Sequence, residues 1–167
     1  SNAAFSRPAA TTATPTDQPN PAVVSGTPPG GRILYAAANP DDGRSRIFAQ
    51  PVSGGAASIS VEDGIQPALR EDGTRMVYYN TRDDMAGLSS FDPDTGLNLR
   101  FTRFAEDSRP SWSPDGNRIV FASNRDGDRR WRIYVGWAET DGEAVSRAFG
   151  DSAAWHPNAD LVVFHGC

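Results

Sequence analysis

Two histidines, His156 and His165, and a single cysteine, Cys167, are the side chains of this sequence best suited to act as a base or a soft metal ligand near neutral pH. A serine nucleophile would need one of the histidines and a sharp glycine-flanked turn. The nearest approach is Gly150-Asp151-Ser152-Ala153-Ala154, which lacks the second glycine and is not followed by a helical pattern. His156 with Cys167 makes two zinc ligands of the four a structural site needs, and the sequence offers no further set. Paired acids stand in Asp41-Asp42 and Asp83-Asp84, and Asp126 and Asp128 flank a glycine. Calcium takes such oxygen ligands, but here no alternating acids lead to a distal glutamate, and Asp, Asn and Gly together read as turn formers. The expectation is a protein without catalytic residues, metal or cofactor.

The elements that would position any such group follow from a repeat. Arg109-Pro110-Ser111-Trp112-Ser113-Pro114-Asp115-Gly116-Asn117-Arg118-Ile119-Val120-Phe121 has counterparts 43 residues away on either side. Toward the N-terminus these are Gln66-Pro67-Ala68-Leu69 and Asp72-Gly73-Thr74-Arg75-Met76-Val77-Tyr78. Toward the C-terminus they are Trp155, Pro157 and Leu161-Val162-Val163-Phe164, and one further step back lies Gly31-Arg32-Ile33-Leu34-Tyr35. A period of this size marks units that stack because one unit cannot bury its own apolar face. Each unit reads as four antiparallel strands. In the clearest copy these are 110–113, 118–122, 132–135 and a weaker strand near Ala144-Val145, joined by Pro114-Asp115-Gly116, the hairpin 124–128 and the turn Glu139-Thr140-Asp141-Gly142. The apolar runs Met76-Val77-Tyr78-Tyr79 and Ile119-Val120-Phe121-Ala122 predict strands buried on both faces. Four strands in about 43 residues is the arithmetic of a propeller blade. Trp112, Trp155, Tyr35, Tyr78 and Phe121 are expected to pack between blades, while Trp131 and Trp137 fall outside the equivalences.

Ser111-Trp112-Ser113-Pro114-Asp115-Gly116-Asn117-Arg118-Ile119-Val120-Phe121, followed by Asn124-Arg125-Asp126-Gly127 and Arg132-Ile133-Tyr134, resembles the repeat of the TolB-type, WD40-like β-propeller family. The resemblance covers residues 31–167, with Leu69 in place of the tryptophan, Glu71 in place of the proline and Asn158-Ala159 in place of Asp-Gly. It implies an all-β fold of four-stranded blades. The chain supplies strands two to four of one blade, two whole blades, and strands one and two of another. That is about three blades, where the family resembled uses six. Either the chain is part of a longer propeller, or two chains close a six-bladed ring as a homodimer, 153–155 and 161–164 of one completing the first blade of the other.

In such a ring the first strands line the channel, and the loops entering them form its mouth. By that fold analogy the rim carries Glu62, Asp63, Gln66, Glu106, Asp107, Arg109, Asp151 and Ser152, with His156 at the strand end. Gln66, Asp107, Arg109, Asp151, Ser152 and His156 are the expected binding residues, on a mixed acidic rim suited to a peptide or a cationic group. The resemblance implies a non-catalytic interaction module for protein or peptide, outside the cytoplasm. The alternative is a propeller accessory to a hydrolase or peptidase. Hydrophobic residues make up 38% of the 167, charged residues 22%, and the net charge of −5 excludes a nucleic-acid binder, which needs a basic surface. No apolar run is long enough for a membrane helix. Ser1-Asn2-Ala3 reads as a scar of tag cleavage, and the Pro/Ala/Thr-rich stretch to residue 30 as a linker or stalk on which Val23-Val24 offers one short strand. The odd cysteine, Cys167, is read as a free thiol or one whose partner lies outside this sequence.

Overall fold

The structure, a computed structural model, describes residues 30–139 and 144–166. The scar and linker, the Thr140-Asp141-Gly142 turn and Cys167 lie outside the described residues. Those described form three antiparallel sheets and no helix. The first sheet is β1 (Arg32–Ala38), β2 (Ser45–Pro51) and β3 (Ser58–Glu62). The second is β4 (Gly64–Leu69), β5 (Met76–Asn80), β6 (Gly87–Phe91) and β7 (Asn98–Arg100). The third runs β8 (Ser108–Trp112), β9 (Arg118–Ser123), β10 (Arg132–Trp137), β11 (Ala144–Trp155) and β12 (Val162–Gly166). These are four-stranded propeller blades: strands two to four of one, two complete ones, and two strands of the next.

One boundary differs from the reading of the sequence. The fourth strand of the third blade and the first strand of the next are a single element, β11, whose first half pairs β10 and whose second half pairs β12. Gly150 stands at the crossover with φ of 154°. A Cβ there would lie 2.3 Å from the His165 carbonyl oxygen, so only glycine lets β12 approach at this point.

Each second strand uses its two faces for two neighbours, as the alternation of side chains along a strand requires. Met76 and Tyr78 of β5 pack back on Ile47 and Val61 of the first blade, whereas Val77 points forward into a cluster with Trp112, Ile119, Phe121 and Tyr134 of the third. Ile119 and Phe121 thus repeat the backward face, and Val120 repeats the forward one against Ala153 and Val162. The expected burial on both faces holds for β5 and β9, whereas β12 is exposed along nearly its whole length. Tyr35 likewise stacks on Phe48 but stays 37% exposed, because no blade precedes it among the described residues.

Candidate binding site on the channel-facing strands

β4, β8 and the second half of β11 are the first strands of successive blades, and each carries an irregularity at the same place. Pairing slips between Ile65 and Ala68, between Ser108 and Ser111, and between Asp151 and Ala154. The looped-out pairs are Gln66-Pro67, Arg109-Pro110 and Ser152-Ala153. Proline has no N–H to give to a ladder, so a bulge is where a strand tolerates it. The first residue of each pair is left-handed, with φ of 55° at Gln66, 52° at Arg109 and 54° at Ser152. For residues with a Cβ this conformation costs about 1–3 kcal/mol each. Its recurrence at one repeat position makes it a built feature of the channel strands.

The three exposed side chains are linked from blade to blade. The Arg109 backbone N–H donates to Gln66 Oε1 at 2.7 Å, and the Arg109 guanidinium donates to Ser152 Oγ at 2.8 Å. Asp151 Oδ2 lies 3.6 Å from the same guanidinium, and His165 Nδ1 lies 3.4 Å from Asp151 Oδ1. The Arg109 side chain keeps 53% of its surface open to solvent, so part of its donor fork remains available for a ligand. The strands are also joined behind the bulges, Trp112 Nε1 donating to the Ala68 carbonyl at 3.0 Å and the Trp155 N–H to Ser111 Oγ at 3.3 Å.

Not every residue expected on the rim sits there. Gln66, Arg109, Asp151 and Ser152 are brought together; Asp107 and His156 are not. Asp107 is fully buried, holding Arg125 at 2.6 Å, and burial raises its carboxyl above the ordinary range. Arg125 in turn lies 4.1 Å over the Phe104 ring, 4.5 Å over Tyr134 and 5.1 Å over Phe121. Asp107 thereby pins the start of β8, two residues ahead of Arg109, and acts on the site by positioning it. His156 follows the far end of β11, roughly 13 Å along an extended strand from Ser152. Its Nδ1 accepts the Asn158 N–H at 3.1 Å and so closes a turn. Among the other rim residues, Asp63 is buried and paired with Arg44, and Glu62 pairs with Arg46 at 2.6 Å.

No sequence signal marked Arg125, 18 residues from Asp107, as its partner. The His165–Asp151 contact was equally hidden, because it depends on how β12 pairs with β11. The loop acids are engaged by arginines: Asp42 with Arg46 at 2.6 Å, Asp84 with Arg82 at 2.7 Å, and Asp128 with Arg132 at 2.5 Å. Asp126 accepts the Tyr134 hydroxyl at 2.9 Å. Among the described residues no three His, Cys, Asp or Glu side chains gather to share a metal ion. Ser152 Oγ accepts from Arg109 and His165 faces Asp151, an arrangement that offers hydrogen bonds to a ligand.

No family model matches the chain. An uncharacterized protein of Agrobacterium fabrum is 31% identical over 151 residues, which cover 83% of this chain and 49% of that protein. A solved structure assigned as a TolB from Agrobacterium tumefaciens matches with a TM-score of 0.65 and 28% identity, over 78% of this chain and 49% of the other. TolB from Acinetobacter baumannii matches with a TM-score of 0.67 and 18% identity, over 80% and 34%. The chain spans about half the length of the curated relative it matches.

Proposed function

We propose, from the premise that this chain folds as TolB-like β-propeller blades, that it is a non-catalytic, extracytoplasmic binding module that holds a protein or peptide against its channel-facing strands. The observation that carries this reading is the row Gln66, Arg109 and Ser152, one left-handed bulge residue per blade, all exposed and linked across 43-residue steps. Rigid strands that each present a polar side chain at one height suit an extended ligand. The half-open Arg109 fork gives that ligand a carboxylate or carbonyl partner. Asp151 and His165 add a carboxylate acceptor and an imidazole beside it, and the carboxylate favours peptide over the phosphates of nucleic acid. We further propose that two chains close the channel as a homodimer, because the described residues form an arc of about three blades with an exposed apolar blade face at each end.

The test is a titration of ¹⁵N-labelled protein with acidic, neutral and basic decapeptides, followed by backbone amide shifts. Shifts confined to residues 64–69, 108–112 and 150–155 are expected for at least one peptide class. Arg109→Ala should weaken that binding about tenfold, the loss of one charge-assisted hydrogen bond. Shifts restricted to outer strands, or equal binding by the Arg109 variant, would overturn the assignment. Static light scattering over a dilution series tests the dimer separately.

A further inference from the structure

We propose that the channel mouth opposite the bulges carries a second binding site, which takes one arginine side chain of a partner protein. It is built from other residues than Gln66, Arg109 and Ser152 and does not rest on that reading. The turns from first to second strands meet at this mouth, each closed by the same backbone bond. The Arg70 N–H donates to the Arg75 carbonyl at 2.8 Å, Ser113 to Arg118 at 2.9 Å and His156 to Leu161 at 2.7 Å. Between these turns lies an open pocket of about 240 Å³. Its walls come from three successive blades: Leu69 and Glu71, then Trp112 and Pro114, then His156 and Pro157. Pockets that enclose a whole small-molecule ligand hold about 300–1,000 Å³. This one is smaller, and suits a single side chain.

Two departures from the 43-residue repeat meet in this pocket. Positions 69, 112 and 155 are Leu, Trp and Trp, and positions 71, 114 and 157 are Glu, Pro and Pro. Leucine is smaller than the indole it replaces, and glutamate sets a carboxylate where the other blades carry an apolar ring. Glu71 also borders an adjoining groove of about 470 Å³ with Arg70, Asp72 and Asp115, whose charges are matched. Arg70 holds Asp72 at 2.7 Å, and its stem lies so close to Gly116 that a Cβ there would come within 2.7 Å. Asp115 accepts from Ser113 Oγ and the Asn117 N–H and lies 3.9 Å from Arg118. Glu71 is exposed and, among the described residues, has neither a hydrogen bond nor an ion pair. The uncompensated charge is therefore one carboxylate beside the apolar surfaces of Leu69, Pro114 and Pro157. An arginine can lay its stem on such surfaces while its planar fork grips the carboxylate through two N–H groups. His156 Nδ1 accepts the Asn158 N–H, so in the neutral ring Nε2 carries the proton and can donate to a carbonyl of the peptide that bears the arginine.

The test is a titration of the ¹⁵N-labelled chain with the capped tripeptides acetyl-Gly-Arg-Gly-amide, acetyl-Gly-Leu-Gly-amide and acetyl-Gly-Glu-Gly-amide at millimolar concentrations. The signals to follow are the Trp112 indole N–H and the amides of Arg70, Glu71, Ser113, Asp115 and His156. The arginine peptide alone is expected to shift them. Glu71→Gln, and Glu71→Pro, which restores the residue of the other blades, should each weaken that binding about tenfold. Both substitutions are at an exposed turn position, so the remaining spectrum should stay that of the parent fold. Equal shifts from the leucine or glutamate peptide, or full affinity in the Glu71 variants, would overturn the site. Shifts confined to residues 64–67, 108–110 and 150–152 would move the arginine to the bulges and overturn it equally. Free L-arginine binding more tightly than the capped peptide would rule out a protein partner. Binding that appears only after Arg7→Ala would assign the pocket to this chain's own Arg7, and the partner reading would fall.

Discussion

Arg125 links the interior of the third blade to the channel site, because its guanidinium is held between the Asp107 carboxylate and the rings of Phe104, Phe121 and Tyr134. Its side chain is 9% exposed and that of Asp107 is 0% exposed. Removing one partner of such a pair costs about 3–5 kcal/mol, since the other charge stays buried. Burial already keeps the Asp107 carboxyl above its ordinary value of 3.8. A carboxyl that binds its proton more tightly folded than unfolded contributes its full stability below that ordinary value, and the contribution declines as pH rises through the raised one. Arg125→Met takes away the cation and steepens the decline. Urea unfolding should show a deficit of about 3–5 kcal/mol at pH 7 and a clearly smaller one at pH 4; equal deficits would contradict this account. At the same scale, Gln66, Arg109 and Ser152 were legible in the sequence as one repeat position. Their left-handed φ and their links were not, because a single-residue conformation depends on the strands that frame it.

Among the elements, β6 depends on one residue without a side chain. Gly87 has φ of 128°, and a Cβ on it would lie 2.7 Å from the Thr102 backbone oxygen. The chain after β7 folds back here, the Leu88 N–H donating to Thr102 Oγ1 at 3.0 Å while the N–H groups of Phe101 and Thr102 donate to the Leu88 carbonyl. Gly87→Ala therefore combines a strained backbone, about 1–3 kcal/mol, with a clash against main chain that has no rotamer by which to retreat. A lower urea midpoint with unchanged slope is expected; a midpoint matching the parent would show that the fold-back gives way easily. Turns at this scale were readable, since Pro, Asp and Gly in 114–116 and 72–73 encode them locally. The fusion of two strands into β11 was not, because it is decided by β10 and β12 pairing with opposite halves of one segment.

For the molecule as a whole, each end of the arc carries exposed apolar side chains, Ile33 and Ile59 at one, Leu161, Val163 and Phe164 at the other. Ile33 is 53% and Val163 57% exposed, so a lysine at either is tolerated by the isolated chain. In the proposed homodimer both lie at an end of the arc that the second copy covers. Ile33→Lys and Val163→Lys should each yield a monomer in light scattering. A dimer that persists in both variants would overturn that reading. The sequence by itself determined the all-β class, the four-stranded blade, its turns and the shared repeat position of Gln66, Arg109 and Ser152. Those follow from a 43-residue period and from turn chemistry, which are local and repeated. Tertiary structure alone decided that Asp107 faces inward to Arg125, that His165 meets Asp151, and that β1 and β12 are left half-covered. Each of these depends on which strands lie side by side, and residues that no period relates become neighbours only when the blades stack.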